Sequence, residues 1–215
     1  MKKLLIFDLD GTLLDSLVDL ADSANHILTR HGFPAHPVDA YRYFVGDGMP
    51  TLIRRILPDG YKTGQMHETC LQEFKAYYSI HMYAKTTVYP GVTEVLEELQ
   101  RRGIKIAMAT NKVQTAVSPL MTDYFPMIQF SALIGQREGV PVKPDPQVVY
   151  DILAETGCSQ EETLYLGDTN VDMMTAHRAG VEAVGVLWGY RTREELEGEH
   201  AEYIISTPNE ILELI

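Results

Sequence analysis

Cysteine, tryptophan, positive charge and long apolar runs are all scarce in this chain. Cys70 and Cys158 are its only cysteines and share no motif. That excludes a disulfide framework or a thiolate metal cluster and points to a reduced, cytoplasmic setting. The seven histidines show no metal-ligand spacing, so a zinc site is not expected. Lys and Arg number 18 against 30 Asp and Glu, a formal net charge of −12. A surface for a nucleic-acid backbone needs basic patches, so nucleic acid is not an expected partner. A small phosphorylated metabolite is not excluded, because a metal ion and a few local cations can hold one. No apolar stretch approaches membrane-spanning length, and the first apolar run is too short and too acidic at its end for a signal peptide. No membrane association is expected. There is no internal repeat or low-complexity tract.

What is present is an ordinary globular composition, 45% hydrophobic and 22% charged over 215 residues. That length suffices for one sizeable core, or for a core plus a smaller inserted module. The first segment organises the rest. An apolar run, Leu4-Leu5-Ile6-Phe7, stops at Asp8-Leu9-Asp10-Gly11-Thr12. A short continuous apolar run ending at a breaker predicts a buried strand of a parallel sheet. In open α/β sheets ligands bind beyond the carboxyl ends of the strands, where Asp8 and Asp10 fall. Two carboxylates this close repel unless a cation lies between them or one holds a proton. The pair therefore points to a divalent metal, an acid/base couple or both; a simple Asx-type turn is the alternative.

After Ser16 the pattern changes. Residues 17–85 contain no convincing strand, and apolar positions recur at helical spacing over 17–28, with Ser16 as N-cap and Gly32 as stop. Further helices are predicted over 38–45, 51–57 and 65–82. From Tyr89-Pro90-Gly91 onward, helix and strand alternate: helices over 92–101, 114–121, 147–155 and 173–179, strands over 104–109, 130–134, 163–166, 183–187 and 203–205, and a terminal helix. Such alternation implies a three-layer α/β core with a parallel sheet. The expected division is a core of residues 1–15 and 86–215 with an all-helical insertion at 16–85.

The strand ends share one regularity. The first ends in Asp8-Leu9-Asp10, the second in Thr110-Asn111, the fourth in Gly167-Asp168, and Lys143 sits in the loop after the third. In a parallel sheet these groups converge on one edge. Carboxylates there can bind a hard cation such as Mg2+ through oxygen. With a hydroxyl, an amide and an ammonium, they are the parts that phosphoryl transfer requires.

Four segments in order, Asp8-Leu9-Asp10-Gly11-Thr12-Leu13-Leu14-Asp15-Ser16, Thr110-Asn111-Lys112, Lys143-Pro144-Asp145-Pro146 and Gly167-Asp168-Thr169-Asn170-Val171-Asp172, resemble the motifs of the haloacid dehalogenase superfamily. The helical insertion resembles that superfamily's α-helical cap. Val45-Gly46-Asp47-Gly48-Met49-Pro50 and Trp188-Gly189-Tyr190 resemble its phosphoglycolate phosphatase branch. No motif position departs from the pattern. The resemblance implies a Rossmann-like core and a Mg2+-dependent phosphomonoester hydrolase, with 2-phosphoglycolate the leading substrate. It implies Asp8 as nucleophile, Asp10 as general acid/base and metal ligand through its carbonyl, Asp168 as a direct ligand and Asp172 as an outer one. Thr110 would hydrogen-bond the phosphoryl group, helped by the Asn111 backbone, and Lys143 would neutralise phosphate charge and hold Asp8 ionised. Gly46 and Gly48 either shape a turn or accommodate substrate, beneath a cap that closes over it. Monomer and homodimer both remain open.

Three other readings are open. A dehalogenase needs neither Mg2+ nor an acid at Asp10. A β-phosphoglucomutase-like phosphosugar mutase shares this motif set and is separated by product analysis. A non-catalytic phosphoacceptor or binding protein combines Asp, Thr and Lys on a parallel sheet, but in about half the length and without a helical insertion.

Overall fold

A computed structural model describes residues 1–215. The chain divides into two compact units: Met1–Leu14 with Val88–Ile215, and Asp15–Thr87.

The first unit is built on one parallel sheet. Its centre is β1 (Leu4–Phe7), hydrogen-bonded to β4 (Lys105–Val113) on one side and β6 (Thr163–Gly167) on the other. Beyond these lie β5 (Phe130–Gln136), next to β4, and β7 (Glu182–Val186) and β8 (Tyr203–Ile205), giving the order β5-β4-β1-β6-β7-β8. Every pairing is parallel. Leu4, Leu5 and Ile6 have no exposed surface, as a central strand covered on both faces requires. Each such side chain contributes about 1.5–3 kcal/mol on burial. The crossovers are helical: α5 (Val92–Arg101), α6 (Gln114–Tyr124), α7 (Gln147–Thr156), α8 (Asn170–Ala179) and α9 (Arg193–Gly198). From β1 the chain builds outward to β4 and β5, then returns past β1 to β6. That reversal is the switch point at which such sheets open a crevice for ligands.

The second unit is helical. Its long members, α1 (Leu17–Arg30) and α4 (Gln65–His81), pack on each other, with α2 (Tyr41–Phe44) and α3 (Met49–Ile56) between them in sequence. Asn25 fastens the intervening segment: its amide donates to the His36 carbonyl at 2.9 Å, and its Oδ1 accepts from His36 N and from the Tyr41 hydroxyl, both at 2.8 Å. Asp19, 2% exposed, accepts from Lys85 N, Thr86 N and the Thr86 hydroxyl at 2.7–3.0 Å. One buried carboxylate thus ties the start of α1 to the segment that leaves the unit. Two-residue strands, β2 (Leu14–Asp15) and β3 (Thr87–Val88), pair with each other where the chain passes between units.

Several boundaries differ from the sequence expectation. The second strand runs through Thr110-Asn111-Lys112 to Val113, because Val113 still pairs with Gln136 of β5 across a register shift. Residues 38–45 divide into a 3-10 turn, Val38–Ala40, and α2. The terminal helix is 3-10, Pro208–Glu213. Helix α9 and the strands β2 and β3 are too short to carry a periodic signal. No helix is long and apolar enough to cross a membrane.

Candidate active site

The site begins with the loop that follows β1. The Leu9 carbonyl accepts the N–H groups of Thr12, Leu13 and Leu14 at 3.3, 3.0 and 2.9 Å, winding residues 9–14 into a tight turn. Gly11, at φ +96°, has the backbone conformation that side chains resist, and Asp168 presses against it. The turn leaves Asp8 and Asp10 at the carboxyl edge of the sheet, with Asp8 buried and the Asp10 side chain 21% exposed.

Asp168 follows β6, and Asp172 lies on the first turn of α8. The two are four residues apart, about one helical turn. Thr169 caps α8: its hydroxyl and N–H meet Asp172 Oδ2 at 2.8 and 3.1 Å, completing a capping box. Asp168, fully buried, accepts from Tyr190 N at 2.7 Å and from the Thr12 hydroxyl at 3.3 Å. The Trp188 indole N–H donates to the Thr12 carbonyl at 3.0 Å, fastening the β1 turn to the Trp188-Gly189-Tyr190 segment.

Lys143 joins the two halves. Its ammonium lies 2.7 Å from Asp8 Oδ1 and 2.7 Å from Asp172 Oδ1, and donates to the Ala109 carbonyl and the Tyr165 hydroxyl at 3.1 Å each. Asn111 holds the loop that delivers it: the amide donates to the Lys143 carbonyl at 3.1 Å, and Oδ1 accepts from Lys143 N at 2.9 Å. The Asn111 side chain is therefore a loop anchor. The Thr110 hydroxyl accepts from Lys112 N at 3.1 Å, which leaves its proton to donate elsewhere.

The charges are unbalanced. Burial pushes the Asp8 carboxyl up to about 7, with Asp172 and Asp10 adding to that push and Lys143 opposing it. Burial, then Asp172 and Asp8, raise Asp168 well above the ordinary carboxylate range. Burial pulls the Lys143 ammonium down, but Asp172 and Asp8 hold it well above the usual lysine value. When ionised, the carboxylates of Asp8, Asp10, Asp168 and Asp172 outnumber the buried ammonium groups of Lys112 and Lys143 beside them, and a divalent cation would relieve that excess.

Asp8, Asp168 and Asp172 each offer an oxygen, all within 4.8 Å of one another. An all-oxygen donor set with excess negative charge fits a hard ion such as Mg2+. The Asp10 carboxylate is not in that cluster; Lys112 takes it instead, with Nζ at 3.1 Å from both oxygens. Gly46 (φ +117°) and Gly48 (φ +82°) lie in the helical unit, between α2 and α3, where Gly48 stands at the N-cap of α3.

Lys112 and Tyr165 had no role in the sequence reading. The signal for Lys112 was its place two residues after Thr110 at a strand end. For Tyr165 it was a hydroxyl inside an otherwise apolar strand; that buried phenol touches Lys143 at 3.1 Å and Asp172 at 3.4 Å.

The family model of the haloacid dehalogenase-like hydrolases matches residues 5–186. The chain is 32% identical to a phosphoglycolate phosphatase of Haemophilus influenzae over 219 residues, covering 99% of this chain and 98% of that one. It is also 32% identical to a phosphoglycolate phosphatase of Pseudomonas putida, over 95% of this chain and 76% of the relative. The crystal structure of a predicted phosphoglycolate phosphatase from Haemophilus somnus superposes with a TM-score of 0.91 at 30% identity, covering 99% of this chain and 97% of that one.

Proposed function

Since this chain belongs to the haloacid dehalogenase-like hydrolases and is a phosphatase, we propose that it hydrolyses a small phosphomonoester, 2-phosphoglycolate, through a phosphorylated Asp8. The observation that carries this reading is the buried Asp8 carboxylate, 2.7 Å from Lys143 and clustered with Asp168 and Asp172. An Asp8 oxygen forms a bond to phosphorus as the ester P–O bond breaks, and Asp10 gives its proton to the departing alkoxide. Asp10 then takes a proton from water as that water attacks phosphorus. The bond to Asp8 breaks, and inorganic phosphate leaves. Lys143 keeps Asp8 oriented and offsets phosphoryl charge, while the Thr110 hydroxyl donates to a phosphoryl oxygen. Asp8, the Asp10 carbonyl and Asp168 would hold Mg2+, with Asp172 behind them, and the ion when bound would neutralise charge developing on the phosphoryl oxygens. The helical unit, Asp15–Thr87, is assigned the role of substrate-selecting cap. The 32% identity to the Haemophilus phosphoglycolate phosphatase over nearly the full length of both chains supports the choice of substrate.

The test is phosphate release from 2-phosphoglycolate, glucose 1-phosphate, pyrophosphate and an aryl phosphate, each with Mg2+ and with chelator. Mg2+-dependent release with a sharp preference for 2-phosphoglycolate is expected. Release spread evenly over many esters retains the chemistry and discards the substrate. Isomerisation of glucose 1-phosphate without phosphate release overturns the hydrolase reading in favour of a mutase.

A further inference from the structure

We propose that Lys112 is the positioning residue for the acid/base carboxylate, holding Asp10 in one orientation through both halves of the reaction. The inference rests on the phosphatase reading above and adds a residue to it.

Three observations converge on Lys112. Its ammonium meets Asp10 Oδ1 and Oδ2 at 3.1 Å each, a symmetric contact that opposes rotation of the carboxylate. Its side chain is 3% exposed while that of Asp10 is 21% exposed, so the cation lies behind the carboxylate and the carboxylate faces outward. Its backbone N–H donates to the Thr110 hydroxyl, so the end of β4 that sets this cation also sets the candidate phosphoryl donor. Burying an ammonium is costly unless a partner meets it in good geometry. Lys143 already serves Asp8 and Asp172, and it stands in the loop between β5 and α7, whereas Lys112 stands in β4.

The chemistry explains the need. Asp10 sits beyond the end of β1, in a turn, where a carboxylate would otherwise sample several rotamers. It must first reach the leaving oxygen and later a water on the same line, each within hydrogen-bonding distance. A contact from behind fixes the orientation and leaves the outward oxygen surface to the substrate. The alternative is purely structural: Asp10 is there to satisfy a buried lysine, and Lys112 has no kinetic role.

The two readings separate on a substrate whose leaving group needs no proton. With 4-nitrophenyl phosphate, phosphorylation of Asp8 does not depend on Asp10, whereas hydrolysis of the phosphorylated Asp8 does. In Lys112→Met, stopped-flow is expected to show a burst of 4-nitrophenolate near one per active site. The steady state should then fall on the order of 10²-fold, the scale of acid/base catalysis. Acid-quenched protein should carry the accumulated phosphate. With 2-phosphoglycolate no burst is expected, since both steps then need Asp10, and Asp10→Asn should reproduce both patterns. Lys112→Arg, which retains the cation, should recover most of the steady-state rate. Lys112→Gln carries the burst measurement in place of Lys112→Met where the methionine variant does not fold. Equal loss in both steps without a burst, or turnover like wild type, overturns the role of Lys112 alone. Wild-type protein that releases no phosphate from any ester overturns the phosphatase reading beneath it.

Discussion

Gly11 stands so close to Asp168 that a Cβ on the glycine would lie 2.3 Å from Asp168 Oδ2. Gly189 is as close, for a Cβ there would lie 2.2 Å from that of Asp168 and 2.4 Å from the Gly11 carbonyl oxygen. Two glycines thus shape the space into which the candidate metal ligand fits. Gly11→Ala must move Asp168 or the β1 turn, and φ +96° adds its own strain. The expected result is a loss of turnover of at least about 10²-fold and a weaker response of the melting temperature to Mg2+. Turnover within a few-fold of wild type would show that the close approach has no bearing on the site.

Lys143 is the single ammonium shared by Asp8 and Asp172. Lys143→Met leaves two buried carboxylates without that cation, and removing one member of a buried ion pair costs about 3–5 kcal/mol. The variant should lose turnover and unfold at lower denaturant, with an unchanged slope of free energy on denaturant. An unaltered midpoint would mean that the three groups are not coupled in solution.

Asp168 accepts hydrogen bonds from Tyr190 N and Thr12 but faces Asp8 and Asp172 across the cluster. Wild-type protein should melt higher as Mg2+ is added, since a ligand that binds only the folded state stabilises it. Asp168→Asn removes a carboxyl whose ionisation burial, Asp172 and Asp8 all oppose. Without Mg2+ it should melt roughly 2–6 °C above wild type, while losing both turnover and the Mg2+ response. An Mg2+ response equal to wild type would remove Asp168 from the ligand set.

Asp19 collects three donors from Lys85 and Thr86 within the helical unit. Asp19→Ala orphans those groups and should destabilise the protein by about 2–4 kcal/mol. Hydrogen exchange at the Lys85 and Thr86 amides should accelerate ahead of the α4 amides. Equal protection of the two amides in variant and wild type would refute the clamp.

Much of the fold and of the candidate site was legible because it is written locally. A four-residue apolar run ending in Asp8-Leu9-Asp10-Gly11 marks a central strand and the edge of the candidate site in one stretch, and the recurrence of polar groups at later strand ends places them on the same edge once the strands are parallel. Helical periodicity likewise marked α1 and α4. The two-residue strands β2 and β3 and the six-residue helix α9 escape, because none of them displays a period or an apolar run.

What only the tertiary structure decided is which side chain meets which. The Asn111 side chain anchors the loop of Lys143, 32 residues away, a pairing that no local pattern announces. Lys112 looks like a strand-end lysine until Asp10, 102 residues away, receives it. Tyr165 looks like core until its hydroxyl meets Lys143. Backbone pattern follows from local sterics and from which residues avoid water, so one sequence suffices to read it. Pairing between polar groups depends on positions set jointly by several strands and loops, and those exist only once the sheet has assembled.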